Sequence, residues 1–363
     1  VTDHLHQDFE TRSEVMIDEV GLYNYLTHPS TEVLMLAWAV NDASVRLWEP
    51  HIHPEMPAEL AEALEDPFVE KLAWNAAFER GVYRHVLRRD IPTAEWLDPS
   101  ICARYISLPG SLEDAGEVLQ IGDEVAKMAE GKELIKLFCE PVEVGGSSGL
   151  FGRIPTTWNN WKTHPDKWER FGGYCCQDVR AERTIHNKVK RWMLPAAERR
   201  AWELDQKINE RGMPADMELV AGATKVVAIE RARLERRLLE LTNLQNPNSV
   251  PQLLPWARER GYIFNAMGKA FVKRALAGEG ELTPECREAL LLRLQTSKSS
   301  VHKLDALRMN AAADGRLRHQ FVFMGAGATG RWAGTGVQLQ NLSRPTKDAE
   351  KRMSELIPKL REA

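Results

Sequence analysis

Along residues 1–120 short apolar runs alternate with stretches of helical spacing, the pattern of an α/β domain. Strands are predicted over Leu5–Thr11, Val33–Val40, Val45–Trp48 and Lys71–Trp74, and helices near Pro57–Leu64, Phe78–Arg88 and Leu112–Leu119. The second and third strands are joined only by Asn41-Asp42-Ala43-Ser44, a turn-forming link, so an antiparallel hairpin within a mixed sheet is expected. Glu140–Pro155 is rich in Gly, Ser and Pro and reads as a mobile loop, after which His164–Trp192 reads as helix.

From Pro195 to Ala313 the pattern is almost wholly helical, with Leu219–Leu241 forming one long amphipathic helix whose exposed face is heavily charged. The last part changes character. Arg316–Met324 fits a strand, and Gly325–Gly336 holds five glycines in twelve residues, which excludes a regular helix and predicts a loop allowing close backbone approach. A charged amphipathic helix, Asp348–Ala363, follows. Three regions are therefore expected: 1–192, an α/β domain; 193–313, mainly helical; and 314–363, a short β/loop element with a terminal helix.

Composition changes this picture little. Of 363 residues, 43% are hydrophobic and 28% charged, which is ordinary for a globular chain able to bury a core. No apolar run approaches membrane-spanning length and no secretion signal opens the chain, so a cytoplasmic protein is expected. The five cysteines lack zinc spacing and read as reduced, buried thiols. Charge distribution says more than the net −4. Residues 293–347 carry nine Lys or Arg against two acids, so the rest of the chain is strongly acidic. Such asymmetry suits a protein that grips phosphates in one place and cations in another.

Three carboxylate-bearing segments stand out. Asp8 and Glu10, two apart on the first strand, project from the same face, where their mutual repulsion favours a divalent cation. Glu79 lies in the first turn of a helix entered from the strand end Leu72-Ala73-Trp74-Asn75. In Tyr174-Cys175-Cys176-Gln177-Asp178 the four-residue spacing puts phenol and carboxylate on one helix face. Alone, each has a plain structural reading: a solvated strand end, an acid answering the helix dipole, and core packing beside a surface acid.

In this order and at these intervals the set resembles the DEDD exonucleases in their tyrosine-bearing branch, in particular the proofreading domain of family A DNA polymerases, the relatives of bacterial DNA polymerase I. DFETRS and WNAAFERGVY look like phage-encoded members. The resemblance implies an RNase H-like fold in which Asp8, Glu10, Glu79 and Asp178 hold two divalent ions, Mg²⁺ or Mn²⁺, while Tyr174 orients the attacking water. The family pattern has Asp where this chain has Glu79. Two cations about 3.5–4 Å apart are what hydrolysis of an anionic phosphodiester gains from most. Asn75 and Phe78 would flank a frayed 3′ end, with Phe78 either stacking on a base or serving the core.

The second half carries its own resemblance. QKINERGMP (206–214) with Asp216, then Asn246-Pro247-Asn248-Ser249, look like the start of a family A polymerase and its thumb. Thr329-Gly330-Arg331, followed by Gln338-Leu339-Gln340-Asn341-Leu342, is similar to the segment by which these enzymes touch primer-template. By that likeness Arg331, Gln340 and Asn341 contact the minor groove and backbone, and Lys298 contacts a phosphate. In this family the palm carboxylates follow later than Ala363, so the expectation is proofreading at DNA 3′ ends without primer extension, on a fragment, a truncated frame or half of a split polymerase whose palm and fingers are a separate chain. A DNA-binding assembly subunit is the competing reading, and an RNA-directed nuclease a third.

Overall fold

The computed structural model describes residues 3–122, 130–143, 156–192, 194–296, 302–342 and 344–362. It divides into two compact units, Val1–Pro214 with Met309–Leu342, and Ala215–Arg308 with Ser343–Ala363.

The first unit is built on β1 (Asp3–Arg12), α1 (Ile17–Thr27), β2 (Glu32–Val40), β3 (Arg46–Trp48), α2 (Ala58–Glu65), β4 (Val69–Leu72), α3 (Ala77–Gly81), β5 (Trp96–Leu97), α4 (Pro99–Tyr105), α5 (Leu112–Leu119) and α6 (Gly131–Cys139). The five strands form one mixed sheet in the order β3-β2-β1-β4-β5, as an RNase H-like fold requires. β1 is central, antiparallel to β2 with Asp8 opposite Ala37, and parallel to β4 with His6 opposite Leu72. β2 and β3 form the antiparallel hairpin expected from the short link. The run EVLMLAWAV makes β2 apolar on both faces, and both faces are covered. Leu36 and Trp38 join Leu5, Phe9 and Tyr83 in one core, while Met35 and Ala37 meet Phe138, Phe171 and Tyr174 in another. Each fully buried Leu, Phe or Met among these contributes about 1.5–3 kcal/mol.

A short ladder pairs β6 (Val142–Glu143) with β7 (Thr156–Thr157) before α7 (Pro165–Val189), a 25-residue helix with Pro at its start, where its missing N–H costs nothing. Most of the loop predicted at 140–155 lies outside the described residues. α8 (Ala196–Arg211) and a second short ladder, β8 (Met213–Pro214) with β9 (Arg316–Leu317), also belong to this unit.

The second unit is helical: α9 (Met217–Thr242), α10 (Val250–Arg258), α11 (Lys269–Leu276) and α12 (Pro284–Thr296), packed around Leu238, Leu253, Tyr262, Val272, Cys286 and Leu290. Asp216 caps α9 by accepting from the Leu219 amide at 3.0 Å. After α13 (His302–Asn310), the chain completes the first unit with a β-hairpin, β10 (Phe321–Ala326) and β11 (Arg331–Gly334). It then returns to the second unit as α14 (Lys347–Glu362). α14 packs on α9 so closely that a Cβ at Gly222 would lie 1.5 Å from the Leu360 carbonyl. Compactness thus divides the chain differently from the three sequence regions, because the hairpin belongs with the sheet unit and α14 with the helices.

One prediction is corrected. Gly325–Gly336 is not simply a loop: Gly325 and Gly334 sit in paired strands, while Gly330 in the turn between them, at φ +64°, and Gly336 after the second strand, at φ +54°, use glycine's freedom. Among the described residues no helix is long and apolar enough to cross a membrane.

Candidate active site

β1 departs from what burial normally selects. Its Leu5 and Phe9 face lies in the apolar core, yet the opposite face presents His4, His6, Asp8 and Glu10, four titratable groups on the central strand of a covered sheet. α7 answers with Tyr174, Asp178, Glu182 and His186, spaced four apart. Two strand residues advance about 6.6 Å and four helix residues about 6 Å, so the two rows stay in step as the elements run past each other in opposite directions.

The rungs of this seam are explicit. At one end the His4 and His186 rings lie 5.1 Å apart. Next, His6 Nδ1 is 2.6 Å from Glu182 Oε2. At the other end the carboxylates gather. Cys175 Sγ lies 3.8 Å from Asp8 Oδ2, and Cys139 Sγ, on α6, lies 4.0 Å from Glu10 Oε2. Burial, then the charges of Asp178 and Glu10, then a hydrogen bond to Asp178, push the Tyr174 phenol far above its usual range. A register irregularity between Glu10 and Thr11 bends β1 just past the cluster, as bulges beside sites commonly do.

Glu79 enters from the other side of the sheet order, on α3. It is buried, and desolvation followed by the charge of Asp8 raises its carboxyl well above the ordinary range. Its Oε2 is buried with no hydrogen-bond partner. The turn delivering it is held by Asp98, the N-cap of α4, which accepts from the amides of Asn75 (3.1 Å), Ala76 (3.2 Å) and Ser100 (2.9 Å). Asn75 there adopts φ +66°, a left-handed conformation that Asn tolerates. Gly131, at the start of α6, lies against the Tyr174 ring, and a Cβ there would come within 2.2 Å of Cε2.

The structure therefore brings Asp8, Glu10, Glu79, Tyr174 and Asp178 into one electrostatic neighbourhood. Phe78 is half-buried beside it, lining a cleft with Glu10, Thr11, Met16, Tyr25 and Ile135, while Asn75 is exposed at the turn. Ligand atoms of Asp8, Glu10 and Cys175 lie within 4.8 Å of one another. The donor set suits a hard cation, with oxygens for ligands, since burial lifts the Cys175 thiol well above its usual range and keeps it protonated. All five cysteines are free, with Cys102, Cys175 and Cys286 buried.

The second group of predicted residues is not part of this cluster. Arg331 is exposed at the start of β11, and Gln340 and Asn341 are exposed on a short 3₁₀ turn, Leu339–Asn341. Gly334 lets the Gln340 amide lie against the hairpin, where a Cβ would meet it at 2.1 Å. The hairpin is tied to α8 by Trp332 Nε1, which donates to Asp205 Oδ1 at 2.7 Å. Burial lifts the Asp205 carboxyl to about 6 against the opposing hydrogen bonds of Trp332, Asn209 and Gln206. Lys298 lies outside the described residues.

Asp98, Gly131 and the imidazole end of the seam were not anticipated from the sequence. Asp98 had a readable signal, Asp followed by Pro at a helix start. His4 and His6 share the two-residue spacing that marked Asp8 and Glu10. Gly131 had none, because its role rests on a contact with a residue far along the chain. Burial lowers the His186 imidazole to about 4, so the ring is neutral at physiological pH.

No family model matches the chain. It is similar to the DNA polymerase of Bacillus phage SP02, 34% identical over 339 residues, which cover 92% of this chain and 50% of that protein. The chain thus spans about half the length of the curated relative it matches. In fold it resembles the polymerase domain of Pol1 from M. smegmatis, solved in complex with DNA primer-template and dNTP, with a TM-score of 0.57 at 14% identity over 96% of this chain and 54% of that one. The motifs of both halves, the sequence match along nearly the whole chain and the shared fold agree: the chain is similar to about half of a phage DNA polymerase and shares the fold of a Pol1 polymerase domain.

Proposed function

We propose that the N-terminal sheet unit is a metal-dependent 3′-to-5′ exonuclease that removes nucleotides from DNA ends, the proofreading part of a family A DNA polymerase. The observation carrying this reading is Glu79. A buried carboxylate oxygen without a hydrogen-bond partner, set against the charge of Asp8, is costly unless a cation satisfies both. Asp8, Glu10, Glu79 and Asp178 would hold two ions, Mg²⁺ or Mn²⁺. When bound, such ions activate water and stabilise the departing 3′ oxygen.

The remaining work falls to this chain's own side chains. Tyr174, kept protonated by its burial and carboxylate neighbours, is suited to donate a hydrogen bond and orient water rather than to accept a proton. The cleft lined by Phe78, Tyr25 and Met16 beside Glu10 offers an apolar wall for the terminal base or sugar. Asp98 fixes the turn of Asn75 and Ala76 and thereby the reach of Glu79. The exposed Arg331, Gln340 and Asn341 would touch duplex backbone without reading sequence. The helical unit built on α9–α12 would be the thumb, and the β10–β11 hairpin the entry to the palm.

Purified protein incubated with 3′-labelled single-stranded DNA tests this. The expected result is stepwise loss of 3′ nucleotides with Mg²⁺ or Mn²⁺ and none in EDTA. Cleavage that survives chelation, or that begins at the 5′ end, overturns it.

A further inference from the structure

The imidazole end of the β1–α7 seam has no part in the reaction just described. His4, His6 and His186 each offer a nitrogen, and these atoms all lie within 4.8 Å of one another. His186 is 1% exposed, and both its ring nitrogens are buried without a hydrogen-bond partner. Glu182, 2% exposed, carries a similarly unpartnered Oε1 while its Oε2 meets His6 Nδ1 at 2.6 Å. An unmet buried polar atom pays its desolvation with no hydrogen bond in return, and an apolar ring of similar size would fill the same space without that cost. Aromatic packing alone therefore leaves these residue types unexplained, although the rings do touch, with centroids 5.1–6.1 Å apart.

We propose that His4, His6 and His186 form a second metal site, distinct from the carboxylate cluster, that takes a borderline-soft divalent ion, Zn²⁺ by preference, with Glu182 orienting His6. Three imidazoles suit zinc rather than the magnesium-type ions that prefer oxygen. The His6 Nδ1–Glu182 contact is the carboxylate–histidine pairing by which metal-ligating rings are held in one tautomer, leaving Nε2 as the donor. Tetrahedral zinc with bonds of about 2.0–2.1 Å spaces its nitrogens about 3.4 Å apart, so ring nitrogens lying within 4.8 Å of one another need close by at most about 1.4 Å. His4, whose side chain is 25% exposed, opens the site to solvent and to a fourth ligand. Bound metal would cross-link the start of β1 to the end of α7 and so fix the register that places Asp8 and Glu10 opposite Asp178 and Tyr174.

The test is zinc titration of the chelator-stripped protein against a chromophoric zinc chelator, in the Asp8→Ala chain with excess Mg²⁺ present so that the carboxylate end does not compete. One equivalent of Zn²⁺ should be retained. His4→Ala should weaken retention more than about tenfold and Glu182→Gln about 10–100-fold. His4 is half-buried and at the strand start, so its variant is expected to fold, and circular dichroism checks this; His186→Ala serves as a second variant. Co²⁺ in place of Zn²⁺ should give a visible absorption band that His4→Ala abolishes. No stoichiometric zinc uptake, or equal uptake by folded His4→Ala protein, overturns the site.

Discussion

The sheet unit presents its functional groups in two contrasting ways. In the β1–α7 seam, side chains from two rigid elements converge in a buried place, and their charges perturb one another strongly. On the hairpin and the turn after it, Arg331, Gln340 and Asn341 are exposed and separate. The difference teaches what each arrangement suits. Holding cations needs several carboxylates in one desolvated place, whereas following a phosphate backbone needs dispersed groups that stay hydrated until DNA arrives.

If that contrast is right, damage to the seam should act on the chemical step and damage to the hairpin on binding. The largest effect is expected from Asp8→Ala or Asp178→Ala, which should lower the nucleotide release rate on the order of 10³-fold or more while the thermal unfolding midpoint changes little. Activity near that of the wild type in either variant would break the assignment of this cluster.

A smaller, more diagnostic loss is expected at Gly131. The added methyl of Gly131→Ala must push the Tyr174 ring aside, and a displacement near 1 Å costs on the order of 10²-fold in rate. Tyr174→Phe, which keeps the ring and removes the hydroxyl, should lose no more than this. Comparing kcat with KM for the two variants separates displaced water from weakened substrate binding: a change confined to KM would assign Tyr174 to binding instead.

At the hairpin, Arg331→Ala should weaken duplex binding several-fold and make the slope of log K against log salt shallower by about 0.9, one phosphate contact, with no change in sequence preference. Equal slopes for both proteins would remove Arg331 from the interface.

The smallest effect concerns the anchor of the hairpin. The folded-state pKa of Asp205 is raised to about 6, above the ordinary 3.8. Its contribution to stability is therefore fully present below about pH 4 and is lost as pH rises through 6. The difference in unfolding midpoint between wild type and Asp205→Asn should change across that window and be flat above it, and Mg²⁺ should not alter it. A difference independent of pH would mean that Asp205 is not the titrating group.

Much of this was legible in the sequence. Strands β1–β4 follow from short apolar runs and the hairpin from its short link. The long helices follow from their apolar spacing. The carboxylates that meet at the seam were found because two of them share a strand face and Tyr174 shares a helix face with Asp178. What escaped notice has physical reasons. α1 contains Gly21 at φ +78°, which interrupts the helical pattern. β5 is two residues long and is defined only by its pairing with β4. The glycines of 325–336 concealed a hairpin, since strands with so few side chains carry no period. His4 and His6 gain meaning only when α7 sets Glu182 and His186 opposite them, a pairing nearly the length of the domain away in sequence.

The central claim is that the seam carries the chemistry and the hairpin only binding. Single-turnover cleavage, with protein in excess and the 3′-labelled DNA fully bound, tests it most directly because it removes affinity from the measured rate. Asp178→Ala should then remain slower by orders of magnitude, and Arg331→Ala should match the wild type. A bound-complex rate in Arg331→Ala depressed as far as in Asp178→Ala, or an unimpaired rate in Asp178→Ala, would contradict the account.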